Sequence, residues 1–208
     1  MVERLPTGID VLDRQLNGGL PAGSVVAFEA APASQGELLL YELSIPRQTL
    51  YLSTDRNESA VADSFERATV PVGEPDIQFV PGDAPLDTAR RAFRNIGTEE
   101  TLVVDPIDTL ERTDRARYET FLNELSNHMQ NTNSIAILHC LKGDGATEVR
   151  DTTEHMADVV LDLRTHLSAG EIENRLAIPK LRGGRALSEA IKLNLEDRVR
   201  IDTSRDIA

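Results

Sequence analysis

Five short apolar runs, each closed by polar or turn-forming residues, constrain this chain more than any other feature. They are "SVVAFE", "TLYLS", "IQFV", "TLVVD" and "SIAILHC". Each is too short for a helix and rich in β-branched or aromatic residues, so each reads as a buried strand. Helical patterns separate them. Ile9, Leu12 and Leu16 share a face that Thr7 can cap and that Asn17-Gly18-Gly19 ends. A brief helix is expected from about Glu37 to Ser44, ended by Ile45-Pro46, and others over Glu58–Ala68 and Leu86–Ile96. Tyr118, Phe121, Leu122, Leu125 and Met129 recur at helical spacing. Strands alternating with helices imply a mainly parallel sheet covered on both faces.

Beyond the fifth run the pattern changes. "MADVVLDLRTHL" reads as a further strand. "EIENRLAIPKL", "SEAIKLNL", the turn Glu196-Asp197-Arg198 and "VRIDTS" read as antiparallel hairpins at one edge. No repeat or linker divides the chain, so one domain over residues 1–208 is expected. No run approaches the roughly 18 apolar residues of a membrane span, and no basic, apolar leader opens the chain, which implies a cytoplasmic protein. Cys140 is the single cysteine and sits in an apolar run, so it reads as a buried strand residue rather than a thiol nucleophile.

The formal charge is −13, and only three of 22 basic residues are lysine: Lys142, Lys180 and Lys192. An acid-rich, lysine-poor chain suits concentrated salt, where the screening length falls to about 3 Å at 1 M. In such a background net acidity does not by itself argue against a nucleic-acid partner.

The segment between the first strand and its helix decides the chemistry. A phosphate-binding loop there would read G-x-x-x-x-G-K-[ST]. The chain has Ala31-Pro32-Ala33-Ser34-Gln35-Gly36-Glu37-Leu38. The second glycine is present. Glu37 stands at the lysine position, Leu38 at the hydroxyl position, and Pro32 lacks an N–H. Exchanging Lys⁺ for Glu⁻ beside a polyanion reverses a contact of up to roughly 4 kcal/mol at 4 Å and an effective dielectric of 20. A displaced lysine could compensate, but all three lie beyond the "TLVVD" strand. Alternatively, Ser34-Gln35-Gly36-Glu37 matches a capping box, in which Ser34 and Glu37 satisfy the helix terminus and place the protein's own anion in the phosphate position. Both readings stay open: a loop that still holds nucleotide and one that is self-capped.

Four features together resemble the RecA/RadA/KaiC superfamily of P-loop ATPases. They are the lead-in "TGIDVLDRQLNGGLPAGSVV", the loop just described, "TLVVDP" ending a strand on Asp105, and "IPKLRGG" with Lys180 and Arg182. The resemblance is to the KaiC/RadA-like branch, of a halophilic archaeal type with a degenerate Walker A loop. It implies a RecA-like core with a C-terminal hairpin extension. It implies that Asp105 would orient a Mg²⁺-bound water, and that Asp55 stands near the place of the family's catalytic glutamate. His139 and Lys142 follow the strand where the family senses the γ-phosphate. Lys180 and Arg182 would act in trans on a neighbouring subunit's nucleotide, which implies an oligomer with RecA/KaiC-like subunits.

Plain structural roles compete at each position: a turn cap for Asp105, a polar turn for Asp55, a packed ring for His139 and an interface pair for Lys180 and Arg182. The four histidines are isolated, without metal-ligand spacing. The segment "GDGATEVRDTTEH" is short and acidic, with one arginine and no aromatic residue for base stacking, so direct DNA strand exchange is not expected. No G-x-G-x-x-G follows the first strand, which argues against a dinucleotide-binding dehydrogenase. Two functions follow: a pseudo-ATPase that regulates or assembles with an active recombinase or KaiC-like ATPase, or an ATP-binding RadA/RecA-like ATPase of DNA recombination and repair. ATP and Mg²⁺ are cofactors only if the loop still binds nucleotide.

Overall fold

The computed structural model describes residues 3–168, 171–184, 187–195 and 199–201. A nine-stranded sheet runs through it. Six strands are parallel: β3 (Val25–Ala30), β4 (Thr49–Ser53), β5 (Asp76–Phe79), β6 (Thr101–Asp105), β7 (Ile135–Leu141) and β8 (Val159–Ser168). Three more, β9 (Glu171–Leu181), β10 (Ile191–Leu195) and β11 (Val199–Ile201), extend it by antiparallel pairing from β8. The spatial order is β11-β10-β9-β8-β3-β7-β6-β4-β5. A two-residue ribbon, β1 (Arg4–Leu5) with β2 (Leu20–Pro21), lies apart. The five apolar runs thus become β3 to β7. The turn at Glu196-Asp197-Arg198 and the end of "VRIDTS" lie outside the described residues.

The period of two along each strand sorts side chains between two cores. Val26, Phe28, Tyr51, Val103 and Ile137 pack on one face, under α1 (Asp10–Gln15), α2 (Gly36–Leu43) and α3 (Glu58–Glu66). Ala27, Leu52, Val104, Leu138 and Cys140 pack on the other, under α4 (Pro85–Phe93), α5 (Asp108–Glu111), α6 (Arg115–Thr132) and α7 (Arg150–Met156). Cys140 is fully buried, and burial holds its thiol well above the usual range. No helix among the described residues is long and apolar enough to cross a membrane.

Three local expectations need correction. Thr7 is not the N-cap of α1. Its hydroxyl accepts from Ile9 N–H at 3.1 Å and donates to Asp13 at 2.7 Å, bracing the approach while Ile9 takes the cap position. The strand expected from Met156 begins only at Val159, because Met156 ends α7. The stretch read as an acidic loop therefore contains α7. Arg150, the first residue of that helix, is 8% exposed and pairs with Glu111 at 2.8 Å and Asp108 at 3.0 Å. Glu111 also accepts from the hydroxyls of Thr147 and Thr153. This buried ionic centre ties α5 to α7. Lys180 on β9 donates to the carbonyls of Glu154 and His155 at 2.8 and 2.7 Å, completing the free C-terminal end of the helix.

Candidate functional site

β3 feeds α2 through Ala31–Gln35, and the strand order reverses around β3, whose neighbours are β7 and β8. A crevice at the carboxyl ends of the strands is the expected result of such a reversal. It is present as a cleft of about 210 Å³ lined by the loop, by Glu37, Asp55 and Arg56, and by Asp105, Pro106, His139 and Leu141.

The loop is drawn in on itself. Ser34 N–H donates to Ala31 O at 3.0 Å, Gly36 N–H to Ser34 Oγ at 3.2 Å, and Leu38 N–H to Gln35 O at 3.1 Å. Ser34 Oγ itself donates to Ala31 O at 2.6 Å. The capping box is half formed, because Ser34 serves the first turn but Glu37 does not reach back. Glu37 accepts instead from Tyr41 Oη at 2.9 Å, one turn along α2, and pairs with Arg56 at 3.4 Å. Burial, then the Glu37 carboxylate, pushes the Tyr41 phenol up to about 12. Gly36 has a packing reason: a Cβ there would meet the Ala30 Cβ at 2.8 Å, so only glycine lets α2 lie this close to β3.

Arg56, in the turn between β4 and α3, places a guanidinium beside the loop. Besides Glu37 it reaches Asp105 at 3.3 Å and Ser64 at 3.4 Å. Burial opposes its charge, but Glu37 and Asp105 outweigh that and hold the guanidinium firmly protonated. The loop motif specifies a lysine, so an arginine in a separate turn carries no match to it. The signal available was a basic residue directly following Asp55.

Asp105 is the hub. Tyr51 donates to Oδ2, which also faces Arg56, while Oδ1 lies 2.5 Å from His139 Nδ1. Burial alone would raise this carboxyl, but the His139, Tyr51 and Arg56 contacts overcome it and hold it below the usual range. Tyr51, buried beside that anion, is pushed well above the ordinary phenol range. Phe28 stacks on the His139 ring, with centroids 5.4 Å apart and planes 23° from parallel. Tyr51, Asp105, His139 and Phe28 come from four strands and meet on one face of the sheet.

The other predicted residues lie around or away from this group. Asp55 is at the rim, accepting from Thr109 at 3.3 Å. Lys142 turns aside to pair with Asp162, which Arg164 also contacts at 2.7 Å. Lys180 and Arg182 lie at the opposite end of the strands, because Lys180 pairs in register with Val160 near the start of β8. Burial, then Arg182, lowers the Lys180 ammonium. Arg182 pairs with Asp158 at 2.9 Å and donates to His155 O at 3.2 Å. Neither is near the cleft of its own chain.

A model described as a family of unknown function (DUF7125) matches residues 4–208. The chain belongs to this family. No curated protein matches it in sequence. Among solved structures, the KaiC-like protein PH0186 from the hyperthermophilic archaeon Pyrococcus horikoshii OT3 superposes with a TM-score of 0.72 at 16% identity, covering 97% of this chain and all of the other. At that identity the likeness establishes the fold: this DUF7125 member has the RecA/KaiC-like architecture that its motifs implied, hairpin extension included.

Proposed function

We propose that this DUF7125 protein is a pseudo-ATPase of RecA/KaiC-like fold, a regulatory or assembly module that works alongside an active recombinase or KaiC-like ATPase. The observation that carries the reading is the Glu37–Arg56–Asp105 bridge. A carboxylate stands where a phosphate-binding lysine belongs, and the Arg56 guanidinium that lines the cleft is already held between that carboxylate and the strand-ending aspartate. The donor set fits ATP·Mg²⁺ poorly. Both Asp105 oxygens are engaged by protein partners, Leu38 offers no hydroxyl, Pro32 offers no N–H, and three loop amides point inward. Lys180 and Arg182 could meet a neighbour's site only from the far end of the sheet. In this reading they are contributed to an adjoining RecA/KaiC-like subunit while the chain's own cleft is without nucleotide.

Arg56 also supports the second reading, an ATP-binding RadA/RecA-like ATPase of DNA recombination and repair. If Arg56 released Glu37 it would present a cation to a phosphate, with His139 and Lys142 as sensors and Asp55 and Asp105 as catalytic carboxylates. Calorimetric titration of ATP with Mg²⁺, at the molar salt the composition suits, separates the two. No heat at millimolar ATP is expected. A dissociation constant of tens of micromolar or lower would overturn the pseudo-ATPase reading.

A further inference from the structure

One polar atom of the cleft is left over. The His139 side chain is only 6% exposed, and His139 lines the cleft. Its Nε2 is buried without a hydrogen-bond partner. Its Nδ1 faces Asp105, an anion that already accepts from Tyr51 and pairs with Arg56. A carboxylate can only accept, so Nδ1 is the nitrogen that donates, and in the neutral tautomer that this contact selects, the lone pair lies at Nε2. Phe28 fixes the plane of the ring. A buried acceptor without a donor is a standing cost to a fold, and it is expected where a ligand supplies the donor.

The charge of the walls says which donor. Three carboxylates, Glu37, Asp55 and Asp105, and one guanidinium, Arg56, line the cleft, a formal charge of −2. We propose that the cleft binds a small organic cation, an aliphatic ammonium group that donates one N–H to His139 Nε2 and lies against the carboxylates of Glu37 and Asp55. An ammonium has three donors and no acceptor, which matches one imidazole lone pair and two carboxylates. It leaves the Arg56 bridge intact, whereas an anion would have to break it. The volume of about 210 Å³ suits a molecule of a few heavy atoms. This shares with the preceding reading only the view that polyphosphate is not the ligand of this cleft, and it does not depend on assembly with another ATPase.

The test is ¹⁵N NMR of the histidine side chains during titration with n-butylammonium chloride at constant ionic strength, with n-butanol, inorganic phosphate and ATP·Mg²⁺ as comparisons. A saturable shift confined to His139 Nε2, with a low-millimolar dissociation constant, is expected for the ammonium and for none of the others. Glu37→Gln, which leaves the Asp105–His139 pair untouched, should weaken it about tenfold by removing one facing charge. His139→Phe, followed by calorimetry because it removes the reporting ring, should abolish butylammonium binding. Should that variant fail to fold, the Glu37→Gln titration still decides the matter. An equal response to butanol, or no shift with butylammonium, would overturn the cation proposal and leave the pseudo-ATPase reading standing. A His139 shift with ATP would overturn both.

Discussion

Glu29 is the penultimate residue of β3, on the face away from α2, and its surroundings make its protonation a measurable part of the stability. Burial, then the facing Glu154 of α7, raises its carboxyl from 4.5 to about 7. Asp162 adds to the rise and Lys142 opposes it, with Arg164 also close enough to be felt. A pKa raised on folding means the native state holds the proton more tightly. The stabilisation is therefore complete below the unfolded value and is lost as pH climbs through the folded one. At 1.36 kcal/mol per unit, the difference between about 7 and 4.5 corresponds to roughly 3 kcal/mol at full linkage. Glu29 is only partly buried, so solvent screening reduces this to about 1–2 kcal/mol. Glu29→Gln substitutes a permanently neutral group. Urea unfolding of both proteins at matched ionic strength, from pH 5 to 8.5, isolates the linkage in their difference. The variant should gain about 1–2 kcal/mol relative to the parent across that range, mostly between pH 5 and 7.5. A difference that stays flat with pH, or that moves the other way, would refute the argument that the folded protein holds the Glu29 proton more tightly than the unfolded chain.

Arg56→Met should cost about 2 kcal/mol in chemical denaturation, since it leaves the buried Asp105 without its cation while the exposed half of the bridge contributes little. Gly36→Ala forces a Cβ against Ala30 and should cost about 1–3 kcal/mol in the same assay, with no dependence on any ligand. Arg150→Met leaves Glu111 buried beside Asp108 and should cost about 3–5 kcal/mol; a loss below 1 kcal/mol would mean that the buried centre holds little of the fold together.

The strands were legible because each is an apolar run with a hard stop, and nothing tertiary competes with that signal. The pairing was less so. Tyr51, Asp105 and His139 meet because β4, β6 and β7 are neighbours in space, while their residues stand 54 and 34 positions apart. Asp105 stood out by ending a strand before proline, and His139 by resemblance alone; nothing in the sequence linked them. Arg56 escaped because a turn has no periodicity and because an arginine does not match the lysine that the loop motif specifies. α7 escaped for an energetic reason. Its segment, "RDTTEHM", holds two threonines and an aspartate, all poor helix formers, and its helicity comes from contacts that are remote in sequence.

Those remote contacts carry an implication for the order in which the chain acquires its shape. The carbonyls that end α7 are satisfied by Lys180, 26 and 25 residues further on. During synthesis at about 5–20 residues per second, the α7 segment waits a few seconds for that partner. Until β9 folds back along β8, the emerging chain has its first eight strands but nothing to close the carbonyl end of α7. The hairpin is thus a late-arriving fastener, and a pulse-labelled nascent chain halted before Lys180 should exchange its α7 amides freely while those of β3 and β7 are already protected.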